Sequence, residues 1–186
     1  MPTPARTSLP EIVAASRVIL DSEGSDALTM ARVASDVGVR APSLYKHVRS
    51  RSELIRLVAN DAGEELANAL DAPASSGDPR TDLRAIAVAF RAWALAHPRA
   101  YTLLFGHTSD SPRIDLEVTT RASATLLRTA EAMAGPNEAL EAARTFVAWA
   151  MGFVGMELAG AFQLGGDVDR AFAYGIDRLT GSIASR

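Results

Sequence analysis

Residues 28–54 read LTMARVASDVGVRAPSLYKHVRSRSEL, and the rest of the chain is organised around them. Thr29 is a natural N-cap, its hydroxyl placed to accept from the exposed N–H groups of a first helical turn. Val33, Ala34 and Val37 fall at i, i+1 and i+4, which gives that helix one narrow apolar stripe. Gly38 ends it, because the position after a helix often needs positive φ. Pro42 stands near the start of a second helix, where its missing N–H costs nothing. Ser43, Leu44, Tyr45, Lys46 and His47 complete a helix, 41–47, too short and too polar to be core. Ser50, Arg51, Ser52 and Glu53 form a capping box that restarts the chain as a third helix. A short helix carrying Ser, Tyr, Lys and His, braced by two others, is the pattern of a helix-turn-helix reader of DNA.

Composition agrees with that pattern. With 186 residues, 48% of them apolar, the chain can bury one good core or two small ones without staples. It contains no Cys, which excludes disulfides and thiolate metal sites and suits a reducing cytoplasm. The N-terminal MPTPARTSLPEIVAAS lacks the apolar run of a secretory signal, and nothing approaches the roughly 20 uninterrupted apolar residues of a membrane helix. The expectation is a cytoplasmic protein with no membrane partner. Net charge is −3, unevenly divided. Residues 1–56 hold eight Lys and Arg against six Asp and Glu, a balance of +2; the remainder holds eleven against sixteen, or −5. A basic head on an acidic body is the charge split of a DNA-binding N-terminus.

Residues 1–7 read as a solvated arm in which Arg6 can reach a phosphate. Ser8 and Glu11 form a capping box that opens a helix stopped by Gly24. Ile12, Val13, Ala15, Ile19 and Leu20 give it one apolar face, with Leu28, Val33, Val37, Val39, Leu44, Val48 and Leu54 as partners. Residues 1–52 are thus read as a three-helix DNA-binding domain and 53–186 as a helical-bundle effector and dimerisation domain. The helix over 52–70 bridges the two. A Pro/Gly/Ser loop over 71–78 follows, then a helix from Pro79 halted by Pro98, a short one over 100–105 and a polar loop over 107–113. Helices over 114–133, 137–164 and 167–183 complete an all-α fold of about nine helices.

The residues also carry a family resemblance. Gly24, Leu28-Thr29, Val33-Ala34, Asp36-Val37-Gly38-Val39, Pro42-Ser43-Leu44-Tyr45, His47 and Ser50-Arg51-Ser52-Glu53-Leu54 resemble, in order and spacing, the N-terminal domain of TetR-family transcriptional repressors over 9–56. Two positions depart from the family pattern. Val48 stands where Phe is common, and Arg51 stands where Lys is common, keeping the phosphate-facing charge. Trp93, His97-Pro98, Tyr101, Leu103-Leu104-Phe105 and Gly106 are similar to a subgroup whose effector domain has a Trp, His-Pro and Gly signature. The resemblance implies that the last two helices pair with their symmetry mates as a four-helix dimer interface.

Phosphate contacts position such a head and base-edge contacts specify sequence. Lys46, Arg49 and Arg51 suit phosphates; Arg40, Ala41, Pro42 and Ser43 lie at the helix start that enters the major groove, with Thr29, Tyr45 and His47 completing the contact set. The bland alternative is that Tyr45 only packs inside the head. Phe90, Trp93, Tyr101, Phe105, Trp149 and Phe153 are candidates to line an effector pocket, against the plain reading of core. Arg91, Arg121, Glu157, His107 and Gln163 are the groups able to orient a polar effector. Ala148, Gly152, Gly155, Ala159 and Gly160 place small residues repeatedly on one helix, which suits close dimer packing or room for a ligand. Leu158, Phe162, Phe172, Ile176, Leu179 and Ile183 would supply the apolar remainder of the dimer interface. His47, His97 and His107 lie too far apart for a metal site, and no nucleophile elbow or phosphate-cradling loop is present. No cofactor and no enzyme activity are expected. The expected function is a homodimeric repressor released from a near-palindromic operator by a small, largely apolar effector. An activator, an effector-independent regulator and a pure dimeric interaction module are the alternatives, with an all-α enzyme the remote one.

Overall fold

The computed structural model describes residues 7–74, 76–106 and 114–183. Among them all regular structure is helical. The α-helices are α1 (Leu9–Glu23), α2 (Met30–Asp36), α3 (Ala41–Leu44), α4 (Arg51–Asp71), α5 (Pro79–Ala96), α6 (Pro98–Phe105), α7 (Leu116–Ala134), α8 (Ala139–Leu158) and α9 (Val168–Ile183), with a 3-10 turn at Ser25–Ala27. Two compact units form, one from Met1–Gly63 with His97–Val118, the other from Glu64–Ala96 with Thr119–Arg186. Arg6 and the loop over 107–113 lie outside the described residues.

In the first unit α1 starts as the capping box requires. Ser8 Oγ accepts from Glu11 N at 3.4 Å while Glu11 Oε2 accepts from Ser8 N at 2.8 Å. Ile12, Ile19, Leu20, Leu28, Val33, Leu44, Val48, Leu54 and Val58 are fully buried. At about 1.5–3 kcal/mol for each large aliphatic side chain, this set dominates the unit's stability. Val13, Ala15, Val37 and Val39, expected in the same core, are only half-buried. Ser16 and Arg17 are buried on α1 instead. Ser16 Oγ donates back to Ile12 O at 2.7 Å, which removes the cost of burying a hydroxyl. Arg17 buries its stem and brings Nε 3.6 Å from Asp61 on α4.

Two local expectations change. The second helix was expected over 41–47, yet α3 ends at Leu44. Beyond it His47 N donates to Leu44 O at 2.9 Å and Lys46 N to Ser43 O at 3.3 Å, so the chain tightens into i→i+3 turns, as short helix ends often do. The capping box at Ser50 is half closed. Glu53 N donates to Ser50 Oγ at 3.1 Å, but Glu53 Oε2 accepts from Arg49 N at 2.7 Å, one residue further back.

The second unit packs α5 against α8 and α9. Leu83, Ile86, Ala87, Phe90, Trp93 and Ala94 form the inward stripe of α5, facing a core that holds Phe146, Ala150 and Val154 of α8 and Phe172 and Ile176 of α9. The helix expected over 137–164 stops at Leu158. Gly160 takes φ +65°, its N–H donates to Glu157 O at 2.9 Å, and Ala161 N donates to Met156 O at 2.9 Å. That double closure is a Schellman stop needing a left-handed residue, so Gly160 terminates α8 and Phe162 and Leu164 lie beyond the helix. Gly175 has another task. A Cβ there would stand 2.9 Å from Trp149 Cε2 and closer to Cζ2, because the indole lies on the α9 backbone, stacked on Phe172 with ring centroids 5.2 Å apart. Gly175→Ala is therefore expected to destabilise the protein. Overpacking costs about 1–3 kcal/mol, which outweighs the ~1 kcal/mol alanine gains in helix propensity. A calorimetric melting temperature above that of the parent would refute this account of Gly175.

Candidate nucleic-acid interface

The reading surface is assembled from caps and one buried anchor. Thr29 Oγ1 accepts from Arg32 N at 3.1 Å and so opens α2. At the turn Gly38 takes φ +70°, and Val39 N returns to Ala34 O at 2.9 Å. Arg40 then stands as the extended residue before α3, and Pro42 lies in its first turn. Leu44 is fully buried and holds α3 against the core. Most of the residues around it face outward. Arg40, Pro42, Tyr45, Lys46, His47 and Arg49 are exposed, and Ala41 and Ser43 are half-buried. Tyr45 keeps 52% of its surface accessible, so its ring is not a packing element of the head.

The cations of this unit fall into two groups. Arg17 pairs with Asp61, Arg32 with Glu23 at 2.8 Å and Asp36 at 3.2 Å, and Arg56 with Asp115 at 2.6 Å. Arg51, read from the sequence as phosphate-facing, donates from Nε to Leu28 O and from an Nη to Ser25 O, both at 2.8 Å. Those donors brace the loop that delivers Thr29. Arg99 donates to Asp21 O at 2.8 Å. The side chains of Arg40, Lys46 and Arg49 have no hydrogen bond or ion pair with any described residue. Three unpaired cations thus flank α3, the arrangement that phosphate binding needs.

The residues proposed for an effector pocket fall into two sets. Phe90 and Trp93 are buried in the second unit, where Trp149 and Phe153 are half-buried with ring centroids 5.7 Å apart and Phe153 meets Phe162 at 4.8 Å and Phe172 at 5.1 Å. Tyr101 and Phe105 belong to the first unit and contact each other on α6, centroids 5.2 Å apart. Burial pushes the Tyr101 phenol above its ordinary value. The polar candidates have protein partners. Arg91 makes a fork with Glu157 at 2.7 and 2.6 Å, reaches Asp169 at 2.6 Å and lies 4.9 Å from the Phe172 ring centroid. The paired Glu157 holds the Arg91 guanidinium even more firmly charged than usual. Arg121 binds Glu64 and Asn68, each at 2.6 Å, and Gln163 Nε2 donates to Gly160 O at 3.3 Å. His107 lies outside the described residues.

The dimer candidates divide by burial. Ala148, Gly152, Ala159 and Phe162 are exposed, Gly155 and Leu179 half-buried, and Phe172 and Ile176 belong to the unit's own core. A Cβ on Gly152 would meet nothing within 4 Å, so among the described residues nothing packs against that glycine. Leu140, Val147, Met156 and Tyr174 are further large apolar side chains left exposed on α8 and α9. Among the described residues no group of three or more His, Asp or Glu could hold a metal ion, and no helix is long and apolar enough to cross a membrane.

Sequence reasoning missed the polar partners of the first unit: Asp115, Asn60 and Arg99. Asp115, the residue before α7, accepts from Arg56 Nη1 at 2.7 and 2.6 Å and from Asn60 Nδ2 at 2.6 Å, and its N–H donates to Asn60 Oδ1 at 3.0 Å. The Arg56 guanidinium holds the Asp115 carboxyl below the usual carboxylate range.

Comparison with known proteins agrees with this geometry. A family model described as "Bacterial regulatory proteins, tetR family" matches residues 12–58, and one described as "Tetracyclin repressor-like, C-terminal domain" matches residues 83–179. The uncharacterized HTH-type transcriptional regulator Rv0681 of Mycobacterium tuberculosis (strain ATCC 25618 / H37Rv) is 29% identical, the match covering 98% of this chain and 84% of that protein. The transcriptional regulator SCO7222, a TetR from Streptomyces coelicolor, superposes with a TM-score of 0.77 at 22% identity, over 96% of this chain and 98% of that one. A single-residue variant of TetR from Acinetobacter baumannii AYE, solved in complex with minocycline, gives 0.70 at 24% identity, over 95% and 96%. At those identities the two solved structures speak for the fold alone. With both halves matched, and with cations that have no partner among the described residues flanking the short helix α3, the chain belongs to the TetR family of DNA-binding transcriptional regulators.

Proposed function

We propose that this chain is a homodimeric repressor that leaves a near-palindromic operator when a small, largely apolar effector binds. Residues 1–52 carry the reading helix and 53–186 the dimer and effector functions. The observation that carries the reading is the α3 surface, where Arg40, Lys46 and Arg49 lack partners among the described residues while Tyr45 and His47 stand exposed between them. Two copies of that surface, one helical turn or ~34–36 Å apart, match the half-sites of an inverted repeat. The exposed apolar positions of α8 and α9, Val147, Gly152, Met156 and Tyr174 among them, favour a second copy of the chain as their cover. The effector half of the proposal is supported by the minocycline-bound TetR variant and by the half-buried aromatic pair Trp149 and Phe153. An effector acts here by binding more tightly to a state whose heads are wrongly spaced. The site of action is the cytoplasm, where the DNA is.

Tyr45→Ala tests the reading surface. A base-edge or groove contact of this kind is worth about 1–3 kcal/mol of discrimination. Preference for the promoter's inverted repeat over a scrambled duplex should therefore fall by one to two orders of magnitude in a gel shift, with the dimer intact by light scattering. Undiminished preference would remove Tyr45 from the contact set. For the effector, release of that duplex by apolar polycyclic compounds, with a tetracycline as the polar comparison, is the direct assay.

A further inference from the structure

The DNA-reading unit is not contiguous in the chain. Its first sixty-three residues are joined by His97–Val118, and the polar bonds that hold this second piece are specific. On α6, Arg99 donates to Asp21 O at 2.8 Å. That carbonyl is one of the last four of α1, which have no intrahelical partner. α1 has no basic residue in its own last turn, so Arg99 supplies the cation that favours a helix C-terminus. At the start of α7 the attachment is denser. The Asp115 carboxylate accepts from both Arg56 and Asn60, one helical turn apart on α4, and its N–H donates back to Asn60 Oδ1. One turn further along α4 comes Gly63, where a Cβ would stand 2.7 Å from Val118 Cγ1, so α7 begins in direct contact with the α4 backbone.

α4 reaches α3 by way of α2, against which α3 packs. Leu54 and Val58 of α4 are fully buried, as is Leu44, and Arg51, the first residue of α4, braces the loop before α2 by donating to Leu28 O and Ser25 O. A bond that fixes α4 by its outer face therefore fixes the direction in which α3 projects. We propose that Asp115 is a positioning residue for DNA recognition, acting through Arg56 and Asn60 to set the orientation of α4 and α3. It touches no DNA itself. Removing it changes how well the two heads match an operator, while leaving the charge-driven grip on any duplex in place.

The sign of the effect separates this from simple electrostatics. Taking a carboxylate off a DNA-binding unit should, on charge alone, tighten binding to every duplex. A positioning role makes the opposite demand for the operator alone. The experiment uses the full chain and two probes: a duplex selected by the parent protein from a random-sequence pool, and a scrambled duplex of the same composition. Asp115→Ala should weaken binding to the selected duplex about 10-fold, within the usual range for coupling between distinct parts of a protein. Binding to the scrambled duplex should be unchanged or tighter, and the melting temperature nearly constant. Arg56→Ala should show the same loss of preference, the double variant no more than either alone, and Asp115→Glu should recover part of it. Unchanged or tighter binding to the selected duplex overturns the proposal, as does an equal loss on both duplexes or an additive double variant. The proposal rests on the operator-binding reading above, and the two fail differently: if the parent selects no duplex, that reading falls first.

Discussion

Replacing Arg40, Lys46 and Arg49 together by alanine is expected to lower DNA affinity by about three orders of magnitude at low salt and to flatten its salt dependence. Each phosphate contact contributes a slope of about −0.9 in log affinity against log salt. Three cations in each of two heads give a slope of about −5 for the parent, or roughly 10³-fold between 50 and 200 mM salt. The variant keeps only what the paired cations can supply, so its slope should approach zero. Its melting temperature should match the parent, because none of the three side chains has a partner among the described residues to lose. Binding measured across a salt series by fluorescence anisotropy gives the answer. A slope that survives the triple substitution would move the phosphate contacts to another face. Arg51 serves as the internal contrast. Its alanine variant should lower thermal stability along with affinity, since its guanidinium donates to Leu28 O and Ser25 O.

Leu44→Ala should cost about 2–5 kcal/mol, the range for truncating a fully buried Leu. The loss falls where the protein has least to replace it. α3 spans four residues, far below the length at which a helix holds itself together in water, and Leu44 is its buried anchor. The chain offers a way to see where the damage goes. Both of its tryptophans, Trp93 and Trp149, are in the second unit, so tryptophan fluorescence follows that unit while circular dichroism follows all the helices. In the variant, helical signal and DNA binding should be lost at lower temperature than the fluorescence change. A variant that melts with parent-like circular dichroism and binds DNA normally would show that Leu44 is not the anchor.

What could be read in advance was what acts over four residues or fewer. The caps at Ser8 and Thr29, the turn at Gly38 and the stripe Ile12, Ile19 and Leu20 depend on neighbours along the chain, and the all-helical order followed from them. Where a local signal was ambiguous the reading overran. Phe162 and Leu164 continue an apolar run past Leu158, and only the double hydrogen bond around Gly160 shows that the helix has stopped. The exposure of Tyr45, Lys46 and His47 was equally readable, because polar residues on a short stretch between two apolar helices have nowhere to go but outward. The partners of the other cations were not. An arginine such as Arg51 or Arg56 is long enough to reach a carbonyl, a carboxylate or a phosphate, and its sequence neighbours do not say which. Asp115 lies fifty-nine residues from Arg56, and no shift in composition announces that residues 97–118 return to the first unit.

That return has a cost in time. A ribosome that has finished Gly63 must add fifty-five more residues before Val118 is made. At about 5–20 residues per second, that is roughly three to eleven seconds. During this interval the nascent reading helix can form on Leu44, but the attachments made by Arg99 and Asp115 do not yet exist. A transcript cut short before that point would yield a head that grips DNA through its charges and lacks the bonds that aim it. The order of synthesis thus withholds a finished operator reader until the first piece of the second unit, Glu64–Ala96, has already been made.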